Sequence, residues 1–176
     1  MTTLEIILYP DTRLRAKNLP VEVWDQDLRD TTRAMFELMY GSDGVGLAAP
    51  QVGINRRLLV FNPEGDKEHA DQEIVLCNPI VVSKSKEREF GEEGCLSFPE
   101  LRASILRPLR VAIEAKDIDG KDLTIELSDW KARIFLHEFD HLDGILFIDR
   151  MTPAEKAIAK PLLGDLEYEY RKRANN

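Results

Sequence analysis

Two histidines and a glutamate occur at a spacing that could bind a metal ion and activate water, in the segment His137-Glu138-Phe139-Asp140-His141. Side chains four residues apart lie on the same face of a helix, so both imidazoles could bind one ion. Glu138 would then lie beside the ion, where a general base accepts a proton from water. The pentad predicts a metalloenzyme, although two ordinary helix histidines would give the same pattern.

A metal site of this kind needs a third protein ligand from elsewhere in the chain, with one tetrahedral position left for water. Cys95 is the best candidate, because it follows a glycine among polar residues. A carboxylate is the alternative, although none occurs in so distinctive a setting. We do not expect His69, in a polar loop, to bind metal, and Cys77, in an apolar run, should only pack.

The element that must position the histidines is predicted to be a buried helix. An apolar repeat follows the N-cap candidates Ser128 and Asp129, and Gly144 would end it. Buried imidazoles need partners, and we expect Asp140 or Asp143 to accept a hydrogen bond from a ligating ring.

The remaining elements follow from hydrophobic periodicity and turn residues. One helix should run from Asp27 to about Tyr40 and end at Gly41. A C-terminal helix should begin at Pro153, and Pro161 with Gly164 should kink or split it. Four strands are predicted at residues 57–62, 74–82, 109–116 and 123–127, with a hairpin turn at Asp119-Gly120 between the last two.

The segment 41–51 is rich in glycine and small residues, so another group should approach its backbone closely. We exclude a nucleotide-binding loop, because neither a full GxGxxG motif nor a P-loop lysine follows.

Composition sets the limits of these hypotheses. A chain of 176 residues with 43% hydrophobic content predicts one catalytic domain at 1–176, with an irregular arm at 1–20 and a helical segment at 152–173. A net charge of −8 argues against general binding to nucleic acid or anionic membranes. Without a spanning segment or signal peptide, and with two cysteines, the chain should be soluble and reside in a reducing compartment.

Three motifs in order give the chain a strong resemblance to the peptide deformylases, especially the bacterial and plant-organelle branch. These are Gly-Val-Gly-Leu-Ala-Ala-Pro-Gln at 44–51, Glu-Gly-Cys-Leu-Ser at 93–97 and the pentad at 137–141. The likeness extends from residues 10–15 to Met151 and is weak beyond. It implies an α+β fold, with antiparallel strands around the central metal helix and a C-terminal helix outside.

The resemblance implies that Cys95, His137 and His141 bind one divalent metal ion, usually Fe2+, with Zn2+, Ni2+ or Co2+ as substitutes. Ligand chemistry alone would favour zinc. The implied reaction removes the formyl group from the N-terminal methionine of a new polypeptide and releases formate. Metal-bound water attacks the formyl carbon, and Glu138 accepts its proton and passes it to the departing nitrogen.

The resemblance also assigns binding roles. The amide of Gln51 and the backbone N–H of Leu96 would stabilise the formyl oxygen. The substrate backbone would pair with Gly44, Val45 and Gly46, and the methionine pocket would include Trp130, Arg133 and Ile134.

Two further residues bear on the tuning of the site. Arg102 is predicted to form an ion pair with Glu93 behind the cysteine loop. Leu136 occupies a position that is usually glutamine in the family, so a polar contact behind the metal helix should be missing.

Formylmethionyl nascent peptides are the implied partners, and a transient ribosome contact stays open. The expected location is the cytoplasm of a bacterial or phage-infected cell, or an organelle stroma or matrix if a transit peptide was removed. The rival hypotheses are a zinc protease, and a non-catalytic descendant that only binds peptide or ribosome.

Overall fold

The computed structural model describes residues 4–174, in which a five-stranded sheet and a separate two-stranded hairpin flank a buried helix. The α+β fold with antiparallel sheets is therefore confirmed. The helices are α1 Gln26–Gly41, α2 Asp129–Leu142, α3 Phe147–Arg150 and α4 Pro153–Ala174. The strands are β1 Gly46–Ala48, β2 Leu58–Phe61, β3 Ile74–Lys84, β4 Arg88–Cys95, β5 Phe98–Pro108, β6 Arg110–Lys116 and β7 Asp122–Ser128.

The five-stranded sheet has the order β1-β2-β3-β6-β7, and every neighbouring pair is antiparallel. Strand β2 is buried on both faces: Leu59 and Phe61 belong to the core shared with α2, whereas Leu58 and Val60 belong to the core shared with α1. Burial of each such side chain contributes about 1.5–3 kcal/mol. The sheet thereby holds α2 in the interior of the molecule.

The hairpin of β4 and β5 was not predicted from the sequence. Gly91, Glu92, Glu93 and Gly94 interrupt the alternation that marks a half-buried strand, so only the motif around Cys95 was evident. The hairpin pairs Arg88 with Pro108 at its open end, and its register shifts between Gly94 and Cys95. This irregularity at the tip coincides with the predicted metal ligand.

The four predicted strands and the three predicted helices, α1, α2 and α4, are present, with most bounds shifted by a few residues. Helix α1 is capped by the side chain of Asp25, which accepts a hydrogen bond from the Leu28 amide at 3.0 Å. The prediction of a kink or split at Pro161 and Gly164 is wrong as to the split, because α4 continues from Pro153 to Ala174; the kink stays a prediction. Pro161 and Ala157, four residues earlier, are both exposed, so water can satisfy the carbonyl that loses its partner.

The N-terminal arm lies along two loops of the predicted site. The Ile7 amide donates to the Gln51 carbonyl at 2.7 Å, and the Tyr9 amide donates to the Ser97 carbonyl at 2.9 Å. Residues 1–3 of the predicted arm and residues 175 and 176 lie outside the described part. Between residues 4 and 174, no helix combines the length and apolarity needed to span a membrane.

Candidate metal centre

Three predicted ligands from two elements converge at one point. Helix α2 supplies His137 and His141, which are 7% and 1% exposed, and the end of β4 supplies Cys95. One ligand atom from each of the three residues lies within 4.8 Å of the others. The Cys95 Sγ lies 3.4 Å from His141 Nε2. One thiol and two imidazoles at these separations could bind a single Zn2+ or Fe2+ ion.

The ring of His137 is oriented by Glu93. Its Nδ1 lies 2.9 Å from Glu93 Oε2, which leaves Nε2 as its ligand atom. The expectation that Asp140 or Asp143 would orient a ligating ring is therefore wrong for His137. Asp143 instead accepts a hydrogen bond from Arg57 at 2.7 Å.

Glu93 is held in turn by Arg107, through two parallel hydrogen bonds of 2.9 Å. The predicted ion pair between Glu93 and Arg102 is wrong. Arg102 is exposed, and its Nη1 lies 3.7 Å from Glu92 Oε1. The alternation of β5 explains the error. Ala103 and Arg107 face the interior of the molecule, and Arg102 faces solvent.

An ionic network continues behind the three predicted ligands. Arg107 Nη1 donates to Asp140 Oδ2 at 2.6 Å, and Arg150 donates to Asp140 through Nη2 at 2.7 Å. Burial disfavours ionisation of Glu93, but hydrogen bonds from Arg107 and His137 lower its pKa to about 2. Glu93 therefore stays ionised and keeps His137 in one orientation.

Glu138 lies beside the two histidines and is 5% exposed. Burial raises its pKa to about 7, and the neighbouring charge of His137 limits the rise. Its Oε2 accepts no hydrogen bond from the described residues. A carboxylate of this kind can accept and return a proton near neutral pH.

The pKa values of His137 and His141 shift in opposite directions. Burial opposes protonation of His137, but hydrogen bonds with Cys95 and Glu93 raise its pKa well above the ordinary value. Burial and the charge of His137 lower the pKa of His141. The Nδ1 atom of His141 is buried without a hydrogen-bond partner among residues 4–174.

Gln51 is 1% exposed and is fixed at both ends of its amide. Its Oε1 accepts a hydrogen bond from the Ala48 amide at 2.9 Å. Its Nε2 donates to Ser97 Oγ at 3.2 Å and lies 3.4 Å from Cys95 Sγ. The N–H of this amide is thus held next to the thiol. The role of Ser97 was not predicted from the sequence, although the residue ends the second motif.

A cavity of about 620 Å³ opens beside these groups. Gly44 and Gly46 allow the walls of the cavity to pack closely against each other. A Cβ on Gly46 would lie 2.6 Å from Glu138 Oε1, and a Cβ on Gly44 would lie 2.9 Å from Leu96 Cδ1. The cavity includes every residue predicted for substrate binding and catalysis: Gly44, Val45, Gly46, Gln51, Leu96, Trp130, Arg133, Ile134 and Glu138.

The other candidates lie apart from this group. His69 is exposed, and its Nδ1 lies 2.8 Å from Asp66 Oδ1. Cys77 is fully buried in the core beneath α1, where burial raises the pKa of its thiol to about 11. Leu136 is 3% exposed and packs in the apolar core around α2.

Comparison with known proteins gives one consistent result. The chain matches the family model described as polypeptide deformylase over residues 3–157. It is 48% identical over 167 residues to the chloroplastic peptide deformylase 1B of Oryza sativa subsp. japonica, covering 95% of this chain and 62% of that protein. It is 40% identical over 161 residues to the peptide deformylase of Thermotoga maritima, covering 92% of this chain and 94% of that protein.

The likeness extends to three-dimensional structure. A plant peptide deformylase PDF1B crystal structure superposes with a TM-score of 0.97 at 45% identity, covering 100% of this chain and 95% of that chain. The chain spans about 62% of the length of the rice relative and about 63% of its Arabidopsis thaliana counterpart.

Proposed function

The chain belongs to the peptide deformylase family, and from this premise we propose that it removes the formyl group from the N-terminal methionine of newly synthesised polypeptides, releasing formate. The observation that carries the proposal is the convergence of Cys95, His137 and His141 beside the buried carboxylate of Glu138. The cavity next to this group gives a peptide end access to it.

We propose that the cysteine and the two histidines bind one divalent metal ion. A metal bound there supplies Lewis-acid activation of water. Fe2+ is the metal we propose for the cell, with Zn2+, Ni2+ or Co2+ as functional substitutes, because this donor set accepts several ions. Elemental analysis of protein purified anaerobically should give about one equivalent of iron.

Glu138 is proposed as the general base and acid. Its buried carboxylate, with a pKa near 7, can take the proton from the attacking water and deliver it to the nitrogen that leaves. Gly46 leaves room for this carboxylate, because a Cβ at residue 46 would lie 2.6 Å from Glu138 Oε1.

The formyl oxygen gains negative charge in the transition state and needs hydrogen-bond donors. We propose that Gln51 Nε2 and the backbone N–H of Leu96 donate to it. Ser97 and the Ala48 amide hold the Gln51 side chain in place, so little reorganisation is needed during the reaction.

Substrate recognition is proposed to combine backbone pairing with an apolar pocket. Gly44, Val45 and Gly46 can pair with an extended peptide, which explains how one site accepts many N-terminal sequences. Trp130, Arg133 and Ile134 line the cavity and would contact the methionine side chain. The Trp130 indole is held by a hydrogen bond of 3.2 Å to the Pro63 carbonyl.

We further propose that residues 1–176 act as one catalytic unit, in which the arm and the 152–173 segment support the site. Nascent formylmethionyl chains are its proposed substrates, and the ribosome is a proposed transient contact. The plant and bacterial relatives support a place in an organelle stroma or matrix, or in the bacterial cytoplasm.

An assay that compares formyl-Met-Ala-Ser with unblocked casein tests the reaction against the rival zinc protease. We expect formate from the blocked peptide and no fragments from casein. Cleavage of casein without formate would replace this proposal with a protease, and binding of the formyl peptide without turnover would favour a non-catalytic descendant.

A further inference from the structure

The guanidinium of Arg133 joins α2 to the β4–β5 hairpin. Its Nη1 donates to the Ile105 carbonyl at 2.8 Å, to Glu93 Oε1 at 3.0 Å and to the Gly91 carbonyl at 3.3 Å. Its Nη2 donates to the Glu89 carbonyl at 2.8 Å. The side chain is 12% exposed, and the three hydrogen bonds of Nη1 are partly buried, whereas that of Nη2 is exposed.

The hairpin is shaped to receive this group. A Cβ on Gly91 would lie 2.7 Å from Cζ and Nη2 of Arg133, and 2.8 Å from its Nε. Strand β4 therefore accommodates the flat guanidinium only because residue 91 has no side chain. Gly91 pairs with Ile105 across the hairpin, so the two carbonyls that flank Nη1 come from opposed strands.

The position of this contact relates it to the metal ligands. Arg133 precedes His137 by one helical turn on α2, and Gly91 precedes Cys95 by four residues on β4. Strands β4 and β5 form a sheet of their own, so the five-stranded sheet does not fix the hairpin by ladder hydrogen bonds. The contact thus links the element that carries the thiol to the element that carries both imidazoles.

The same arginine also touches the group that orients His137. Glu93 Oε1 accepts from both Arg107 Nε and Arg133 Nη1, while its Oε2 faces His137 Nδ1. Arginine suits this task because its planar fork presents several donors at fixed angles. The charged end of Arg133 is thus bound to four acceptors, all of them on β4 or β5.

We propose that Arg133 is a positioning residue that holds the β4–β5 hairpin against α2, and so keeps Cys95 at binding distance from His137 and His141. The inference rests on the proposed metal site and not on the proposed reaction. Metal affinity can be measured without substrate, so failure of one is distinguishable from failure of the other.

The test compares Arg133→Ala with Lys131→Ala. Lys131 is an exposed cation on the same helix, so Lys131→Ala controls for the loss of one positive charge. Zn2+ affinity is measured by competition with a chelator of known affinity. We expect Arg133→Ala to bind Zn2+ about 10- to 100-fold more weakly, as for other groups that support metal ligands. Lys131→Ala should match the wild type, and Arg133→Lys should recover part of the loss.

Kinetics on the metal-saturated variants separate positioning from substrate recognition. In Arg133→Ala we expect a raised KM for formyl-Met-Ala-Ser, because the variant also removes a side chain proposed to contact the methionine, together with the weaker Zn2+ binding that is measured without substrate. An unchanged Zn2+ affinity, with a raised KM or a lost methionine preference, would overturn the proposal and make Arg133 a pocket residue.

Gly91→Ala tests the same proposal with Arg133 unchanged, in case Arg133→Ala does not fold. The added methyl should displace the guanidinium and weaken Zn2+ binding, although no side chain of the metal site has been altered. In the Arg133→Ala background the same glycine substitution should cost little more, because the clash partner is gone. Additive losses in the double variant, or full Zn2+ affinity in Gly91→Ala, would contradict the proposal.

Discussion

At the scale of single residues, the site places the buried carboxylate of Glu138 beside Cys95, His137 and His141. Helical spacing was enough to place His137 and His141 on one face and Glu138 beside them. The supporting residues were not accessible in the same way. Arg107 rather than Arg102 binds Glu93, because the choice depends on which face of β5 each side chain occupies.

The general-base role of Glu138 has a direct test. Glu138→Ala should keep about one equivalent of metal and lose about 10²- to 10⁴-fold in kcat, since the thiol and imidazoles remain in place while the proton acceptor is removed. Metal content by elemental analysis and formate release by an enzyme-coupled assay measure the two effects. Undiminished turnover would refute the role.

Gln51 should act mainly on the transition state. Gln51→Ala removes the Nε2 donor next to Cys95 Sγ, and we expect kcat to fall about 10²- to 10³-fold with a smaller change in KM. Gln26→Ala, on the exposed surface of α1, is the control and should leave kcat unchanged. A rise in KM at constant kcat would show instead that Gln51 only binds the ground state.

At the scale of elements, β1 lies so close to α2 that residue 46 must be glycine. Gly46→Ala should lower kcat/KM by about 10²-fold or more, because the new methyl would lie 2.6 Å from Glu138 Oε1 and must displace it. Gly41→Ala is the matched control, since a Cβ there has no neighbour within 4 Å. Steady-state kinetics measure kcat/KM for both variants. Equal values of kcat/KM would show that β1 does not constrain Glu138.

The N-terminal arm is tied to α3 through Arg15 and Asp149, with Arg15 Nη2 at 3.1 Å from Asp149 Oδ1. Burial opposes ionisation of Asp149, but the hydrogen bond from Arg15 lowers its pKa below the ordinary 3.8. A lowered folded-state pKa gives a contribution that is full above the ordinary value and is lost as pH falls toward the folded-state value.

Asp149→Asn should therefore lower the free energy of unfolding by about 1 kcal/mol at pH 7 and by less below the ordinary pKa. Urea denaturation of wild type and variant at pH 7 and pH 3 measures both differences. Asp165→Asn on α4, whose carboxylate is exposed and forms no ion pair within residues 4–174, is the control. A larger difference at the lower pH would contradict the assigned direction.

Elements with regular periodicity were predictable, and the hairpin was not. Helices α1 and α2 and strands β2, β3, β6 and β7 follow from apolar repeats and turn residues. Strand β4 carries Gly91 and Glu93 at positions where alternation would require apolar residues. Those two residues accommodate Arg133 and His137, so the irregular sequence reflects contacts with a distant helix.

At the scale of the whole molecule, the thiol comes from the β4–β5 hairpin and the two imidazoles come from helix α2. The fold class followed from the family motifs, whereas the arm across the backbones of Gln51 and Ser97 and the unbroken helix α4 required the structure. Contacts of this kind depend on which surfaces meet in space, and no local sequence pattern encodes them.

Titration of metal-free protein with Co2+, with formate release from formyl-Met-Ala-Ser measured at each point, tests the central claim most directly. Formate release should rise linearly and reach a plateau at about one equivalent of Co2+, and Cys95→Ala should show no rise over the same range. Full formate release before any metal is added, or an unchanged titration in Cys95→Ala, would contradict a single catalytic metal bound by Cys95, His137 and His141.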